Sequence, residues 1–281
     1  METKQYTGSC YIGVVGSENE NGECRDSIES IVRRRKDEGP RYVRATKGYE
    51  ARQMHLNNWY EGTKHPFMLL LDHDMKFPAN TLERLRSFKL PYVSGFYMRR
   101  RYAPMAPVWF EYNATLQMPM IPYTGVPMAN TLYKIGASGW GCILMHRDVV
   151  TAVRKVLKGE PEIIEDDMDL FPYDLKRVMG AIKMIATKPT EAQKILTDEI
   201  RPLRALKDSV GSDIRFPFYA RLAGFELYGD SGVVCEHMLN YPVSVTDYVN
   251  QSAANVRDVT ILSRQNVQQE QERIQKAVAE L

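Results

Sequence analysis

The chain lacks an excess of charge of either sign. Its 281 residues carry 37 Lys and Arg against 35 Asp and Glu, a formal net charge of +2. A balance that close gives no general attraction to nucleic acid or anionic lipid, so any charge argument has to be local. Cysteine is scarce. None of the 4 cysteines (Cys10, Cys24, Cys142 and Cys235) falls in a Cys-x-x-Cys pair, which excludes ordinary zinc-site spacing. Cys142 and Cys235 lie in apolar runs and are expected to be buried free thiols, consistent with a reducing, cytoplasmic setting. Long apolar runs are also missing. The longest are strand-sized, so no membrane-spanning helix is expected. The polar start Met1-Glu2-Thr3-Lys4-Gln5 has no apolar signal core. No G-x-x-x-x-G-K-[ST] motif occurs, which argues against a P-loop nucleotide hydrolase.

What is present suits a globular protein. Hydrophobic content of 44% and charged content of 26% allow a sizeable core. The first half alternates short apolar runs with helical patterns. Tyr11 to Gly16 reads as a buried strand. A helix capped by Asp26 or Ser27 is expected through Lys36, with Arg33-Arg34-Arg35 on its solvated face. Arg41 to Thr46 is a second strand. Tyr49 to Gly62 is a helix with Ala51, Met54, Leu56, Trp59 and Tyr60 on its apolar side. Phe67-Met68-Leu69-Leu70-Leu71 is the most apolar segment and runs directly into Asp72-His73-Asp74. Pro78 opens a helix through Phe88, and Tyr92 to Tyr97 is a fourth strand.

Strands alternating with helices predict an α/β fold with a mostly parallel central sheet flanked by helices. In such sheets ligands bind beyond the carboxyl ends of the strands. That places Gly16, the region of Thr46, Asp72-His73-Asp74 and Arg99 along one rim. Downstream, residues 102–135 read as irregular or antiparallel. Trp140 to Met145 is a strand with a helix from Asp148, Asp213 to Gly224 a short helix, and Val233 to Cys235 a last strand. A Gln-rich helix over 248–281, with Val267, Ile274 and Leu281 at sevenfold spacing, is a candidate oligomerisation element.

A bare D-x-D pattern is weak, and the chain contains a second one, Asp167-Met168-Asp169, inside a polar acidic run. Context separates them. Asp72 and Asp74 close a wholly apolar strand, where carboxylates are unfavourable unless a cation or donor compensates them. Mn²⁺ or Mg²⁺ takes hard oxygen ligands, commonly one or two carboxylates together with phosphate oxygens.

The stretch from Ala51-Arg52 through Phe67–Pro78 to Val93-Ser94-Gly95-Phe96-Tyr97 resembles GT-A glycosyltransferases, in particular their family-2-like branch. Three later segments match in order: Gly136–Met145 with Arg147-Asp148, Gly211–Phe216 with Ala223-Gly224-Phe225, and Val233–His237. The resemblance implies a GT-A catalytic domain over 1–247, with 159–207 as a helical insertion or lid, followed by the helix at 248–281. It implies a metal-dependent transfer of a sugar from a nucleotide-sugar donor, a UDP- or GDP-sugar, to an acceptor hydroxyl with inversion. Asp74, Asp72 and His237 would form the metal site. Asp213 would be the catalytic base. Gly16 and Ser17 would lie beside the nucleobase and ribose, with Asp72 near the ribose. Arg52 would meet ribose or phosphate, Arg99 the pyrophosphate, and Gly139 and Trp140 the acceptor or sugar.

The sequence departs from that pattern in two places. Ser212-Asp213 stands where Glu-Asp is common, and His73 separates the aspartates where a small or acidic residue is usual. The alternatives are a nucleotidyltransferase that makes nucleotide-sugars, or a non-catalytic carbohydrate-binding or assembly protein on the same scaffold. The acidic run Glu18 to Glu20 after the first strand argues against the former, which needs a basic grip on triphosphate.

Overall fold

The apolar run at 67–71 is the centre of the molecule. In the computed structural model each of Phe67, Met68, Leu69, Leu70 and Leu71 is fully buried. The structure describes residues 4–16, 22–44, 48–99, 106–113, 120–124, 127–157, 180–196, 212–238 and 242–243.

In chain order the elements begin with β1 (Cys10–Val15), α1 (Gly22–Glu29), β2 (Pro40–Val43) and α2 (Gly48–Gly62). β3 (Phe67–Asp72), β4 (Met75–Lys76), α3 (Thr81–Ser87) and β5 (Tyr92–Phe96) follow. Next come β6 (Trp109–Tyr112), β7 (Met120–Pro122), β8 (Leu132–Ile135), β9 (Ala137–Ser138), β10 (Cys142–His146) and α4 (Arg147–Val156). The last are α5 (Pro189–Lys194), α6 (Ser212–Leu222), β11 (Leu227–Val234), β12 (Glu236–Met238) and β13 (Pro242–Val243).

Seven strands form the central sheet in the order β2-β1-β3-β10-β5-β11-β8. β1, β2, β3, β5 and β11 run one way; β10 and β8 oppose them. The fold is therefore mixed α/β with a mostly parallel sheet. The insertion of antiparallel β10 between β3 and β5 has a functional consequence. It brings the start of β10 to the rim where its neighbours end, so the Asp72 N–H donates to the Gly141 carbonyl at 3.0 Å.

Two small antiparallel sheets flank this frame, β13-β12-β4 and β7-β6-β9. The second lies in the stretch expected to be irregular or antiparallel. The first ties the chain after β3 to the chain after β11. A register shift in β11 between Asp230 and Val234 precedes that crossing. It re-aims the strand end, as bulges do.

Several element boundaries differ from expectation. α1 starts at Gly22 and ends at Glu29, so Ser27 lies inside it and accepts from the Phe77 N–H at 3.2 Å instead of capping. Arg33 to Arg35 lie beyond the helix. The chain leaves helical geometry there because Ile31 turns into the core and the Val32 N–H bonds the Ala79 carbonyl at 2.8 Å. α3 begins at Thr81 instead of at Pro78, whose carbonyl accepts from the Thr81 hydroxyl. On α2, Met54 is 48% exposed, while Gln53 and His55 are buried. His55 is accommodated by Gly13, where a Cβ would stand 2.7 Å from the ring. The segments 159–179, 197–207 and 248–281 lie outside the described residues.

Candidate active site at the strand ends

Backbone pairing assembles the rim. The Gly16 N–H donates to Val43 O at 2.9 Å, joining the ends of β1 and β2. The His73 N–H donates to Val15 O at 3.1 Å, joining β1 and β3. The Cys235 N–H donates to Phe96 O at 2.9 Å, joining the chain after β11 to the end of β5. β4 pairs with β12 so that Met75 faces His237, and the Met238 N–H donates to Asp74 O at 2.8 Å. That register brings Asp74 and His237 together although they are far apart in sequence.

The His237 side chain is 11% exposed. Its Nδ1–H donates to the Met98 carbonyl at 3.0 Å, which leaves Nε2 3.5 Å from Asp74 Oδ1. A neutral imidazole so anchored would set a lone pair against a carboxylate. A cation resolves the conflict, either a proton or a metal ion. Burial opposes the protonated form of His237. The hydrogen bond and charge of Asp74 outweigh it and raise the imidazole above its ordinary value, with Met98 and Asp72 adding smaller contributions. Asp74 also reaches α1. Cys24, in that helix, is pushed up to about 11 chiefly by burial and next by the Asp74 charge.

Asp72 takes a different partner. Arg52 Nη2 from α2 lies 3.3 and 3.2 Å from its two oxygens, and both side chains are 16% exposed. Charge-assisted pairs commonly close to about 2.7–2.9 Å, so this one is loose. The two aspartates therefore split, one toward the α2 arginine and one toward the late histidine. Cation ligands held by bonds of about 2.1 Å sit roughly 3 Å apart when adjacent, close to the Asp74–His237 separation. Among the described residues no group of three or more His, Cys, Asp or Glu side chains converges as a ready metal cage. A carboxylate plus one oriented imidazole suits an ion that completes its shell with water and phosphate oxygens.

The other predicted positions are distributed as follows. Gly16 sits at the end of β1 with φ +120°, against the His73 ring. Ser17 lies outside the described residues. Arg99, just past β5, holds its guanidinium 5.0 Å from the centroid of Phe110. Gly139 is buried and its N–H donates to Val108 O at 3.0 Å. Trp140 is fully buried, edge-on to Phe216 at 4.7 Å between ring centroids. Its ring offers no open face, so the sugar-platform expectation gives way to a packing role beside α6. Asp213 lies in the first turn of α6, and its side chain lies outside the described residues.

Sequence reasoning overlooked two contributors at the rim and one structural residue at the opposite end of the sheet. The Met98 carbonyl orients His237. The Tyr97 hydroxyl accepts from the Gly141 N–H at 2.7 Å and steadies the start of β10. Arg147 closes the C-terminal end of α2, donating to the carbonyls of Trp59, Tyr60, Thr63 and His65 at 2.5–2.8 Å. A guanidinium is well matched to that negative helix end. Only Arg147 left a trace in the sequence, as a basic residue opening a helix where an acidic one is the better fit. All four cysteines are free and buried, as expected for Cys142 and Cys235.

No family model and no curated protein sequence matches the chain. Among solved structures it is similar to A197 from STIV, at 11% identity and TM-score 0.44, over 83% of this chain and 86% of that one. It is also similar to GalNAc-T7, crystallised with UDP, GalNAc and Mn²⁺, at 10% identity and TM-score 0.45. That likeness covers 89% of this chain but 48% of GalNAc-T7, so the chain spans about half of that protein's length. No helix among the described residues is long and apolar enough to cross a membrane.

Proposed function

We propose that the chain is a glycosyltransferase that moves a sugar from a nucleoside-diphosphate sugar to an acceptor hydroxyl, using Mn²⁺ or Mg²⁺. The observation that carries the reading is the meeting of Asp74 and His237 at the strand ends, with the imidazole anchored through Nδ1 and presenting Nε2 toward the carboxylate. These two residues would hold the ion. When bound, it would neutralise charge on the departing diphosphate. Asp72 would accept hydrogen bonds from ribose hydroxyls, and Arg52, already at Asp72, would turn to phosphate or ribose. Gly16 would lie beside the nucleoside at the end of β1, with the His73 ring covering its α-carbon. Arg99 would face the pyrophosphate. Asp213, on the first turn of α6, would remove the proton from the acceptor hydroxyl as that oxygen attacks the anomeric carbon, giving inversion.

Titration of UDP and GDP with and without Mn²⁺ tests the reading. Binding should require the metal. Metal-dependent hydrolysis of a donor sugar should disappear in Asp74→Ala. Asp213→Asn should abolish transfer while leaving nucleotide affinity within about threefold, since a base acts only on the acceptor proton. Nucleotide binding that ignores metal and survives Asp74→Ala would overturn the proposal.

A further inference from the structure

His73, the residue between the two aspartates, is bound to the end of β1 twice. Its backbone N–H and its ring Nδ1–H both donate to the Val15 carbonyl, at 3.1 and 2.7 Å. The ring lies so close to Gly16 that a Cβ at that position would be 1.8 Å from Nδ1. Gly16 also has φ +120°, which side-chain-bearing residues rarely adopt. Glycine is thus required there on two counts, and the space it leaves is filled by His73. On its other sides the turn is joined by main-chain bonds as well as by the side-chain contacts of Asp72 to Arg52 and Asp74 to His237. Asp72 N–H bonds Gly141 O, and Asp74 O accepts from Met238 N–H. The shortest tie of the turn to β1 is therefore a side chain.

We propose that His73 is the positioning residue of the cation site: its ring, seated on Gly16 and hydrogen-bonded to Val15, fixes the turn so that Asp74 faces His237. The inference rests on the metal reading above and adds a residue that the reading does not need. A small residue at this position would remove the shorter of the two His73 bonds to Val15 and leave the longer main-chain one. Residues that orient metal ligands typically change affinity by about 10–100-fold when removed.

The test is Mn²⁺ affinity, read from the electron paramagnetic resonance signal of free Mn²⁺, in the full chain and its variants. His73→Ala should weaken Mn²⁺ by about tenfold or more. His73→Asn places an amide N–H near the position of Nδ1 and should restore affinity to within about threefold of wild type. Gly16→Ala displaces the ring and should weaken Mn²⁺ as His73→Ala does. Wild-type affinity in His73→Ala, or an Asn variant as weak as the Ala variant, overturns the inference. Should His73→Ala not fold, His73→Asn and His73→Gln carry the same amide at different reach. The Asn chain should then keep the ion and the Gln chain lose it, and equal affinities overturn the inference. A wild-type chain that binds no Mn²⁺ overturns the metal reading itself, an outcome distinct from Mn²⁺ binding that is indifferent to residue 73.

Discussion

The two ends of the central sheet treat the same chemical groups differently. At the end where β1 begins, the Asp37 side chain is fully buried and receives three short donors. Cys10 N–H reaches it at 2.9 Å, Arg34 N–H at 2.7 Å and the buried Arg86 guanidinium at 2.8 Å. The contrast is specific to Asp37, because His65 at the same end bonds Ser9 at 2.9 Å and stands 3.4 Å from Glu38, a contact as long as those at the opposite end. At the opposite end, Asp72 and Asp74 keep part of their surface open, and their contacts to Arg52 and His237 are 3.2 and 3.5 Å. A buried carboxylate supplied with short donors is complete as structure. Carboxylates with longer contacts and some exposure retain capacity for a ligand. The difference between Asp37 and the Asp72–Asp74 pair favours the carboxyl ends as the ligand side, independently of any motif.

Exchanging one substitution between the two ends breaks or sharpens that contrast. Asp74→Asn should reduce donor-sugar hydrolysis by at least about 10³-fold, since it weakens a charge acting where diphosphate charge develops, while thermal unfolding shifts little. Asp37→Asn should do the reverse. It leaves the buried Arg86 with Glu83, 3.5 Å away, as its remaining counter-charge, which costs up to about 3 kcal/mol, read as a lower urea midpoint, with activity per folded molecule unchanged. If both variants lose activity without losing stability, or the reverse, the two ends are not specialised as described.

The frame of the molecule was legible because its signals are local. The continuous apolar run ending in Asp72 marks a central strand whatever surrounds it, and β1, α2, β5 and β10 are where periodicity puts them. The pairing of Asp74 with His237 is set by the register of β4 on β12, which no periodicity encodes; the family resemblance alone brought them together. Glycines flank Trp140 in the sequence, a pattern that suggests openness. Here Gly141 instead admits Met75 and Tyr97, whose atoms would lie within 3.0 Å of a Cβ there, and the indole beside it is sealed. α1 was misplaced because its termination depends on a tertiary hydrogen bond from Val32 to Ala79.

The histidines carry the contrast to its finest scale. His237 and His55 each donate one ring N–H to a backbone carbonyl, of Met98 and Val14 respectively. They differ in what meets the second nitrogen. For His237 it is the Asp74 carboxylate. For His55 it is the Tyr11 hydroxyl at 3.0 Å, which donates to Nδ1 because Nε2 already carries the proton bonded to Val14. His55 is thus satisfied as a neutral ring inside the core, and burial lowers it from 6.5 to about 4. Between those values the unfolded chain binds a proton that the folded chain does not. Stability from this group is therefore complete above pH 6.5 and is lost as pH falls toward 4, by roughly 3 kcal/mol in all. His237, raised by its carboxylate, acts in the opposite sense, so the wild-type profile alone mixes the two. Subtracting the urea-midpoint profile of His55→Leu from that of wild type isolates the core histidine. The difference should be flat above pH 6.5 and decline below it. Parallel profiles in the two chains would mean that His55 accepts its proton in place, and that an anchored, uncharged ring is not what separates the core histidine from the one at the rim.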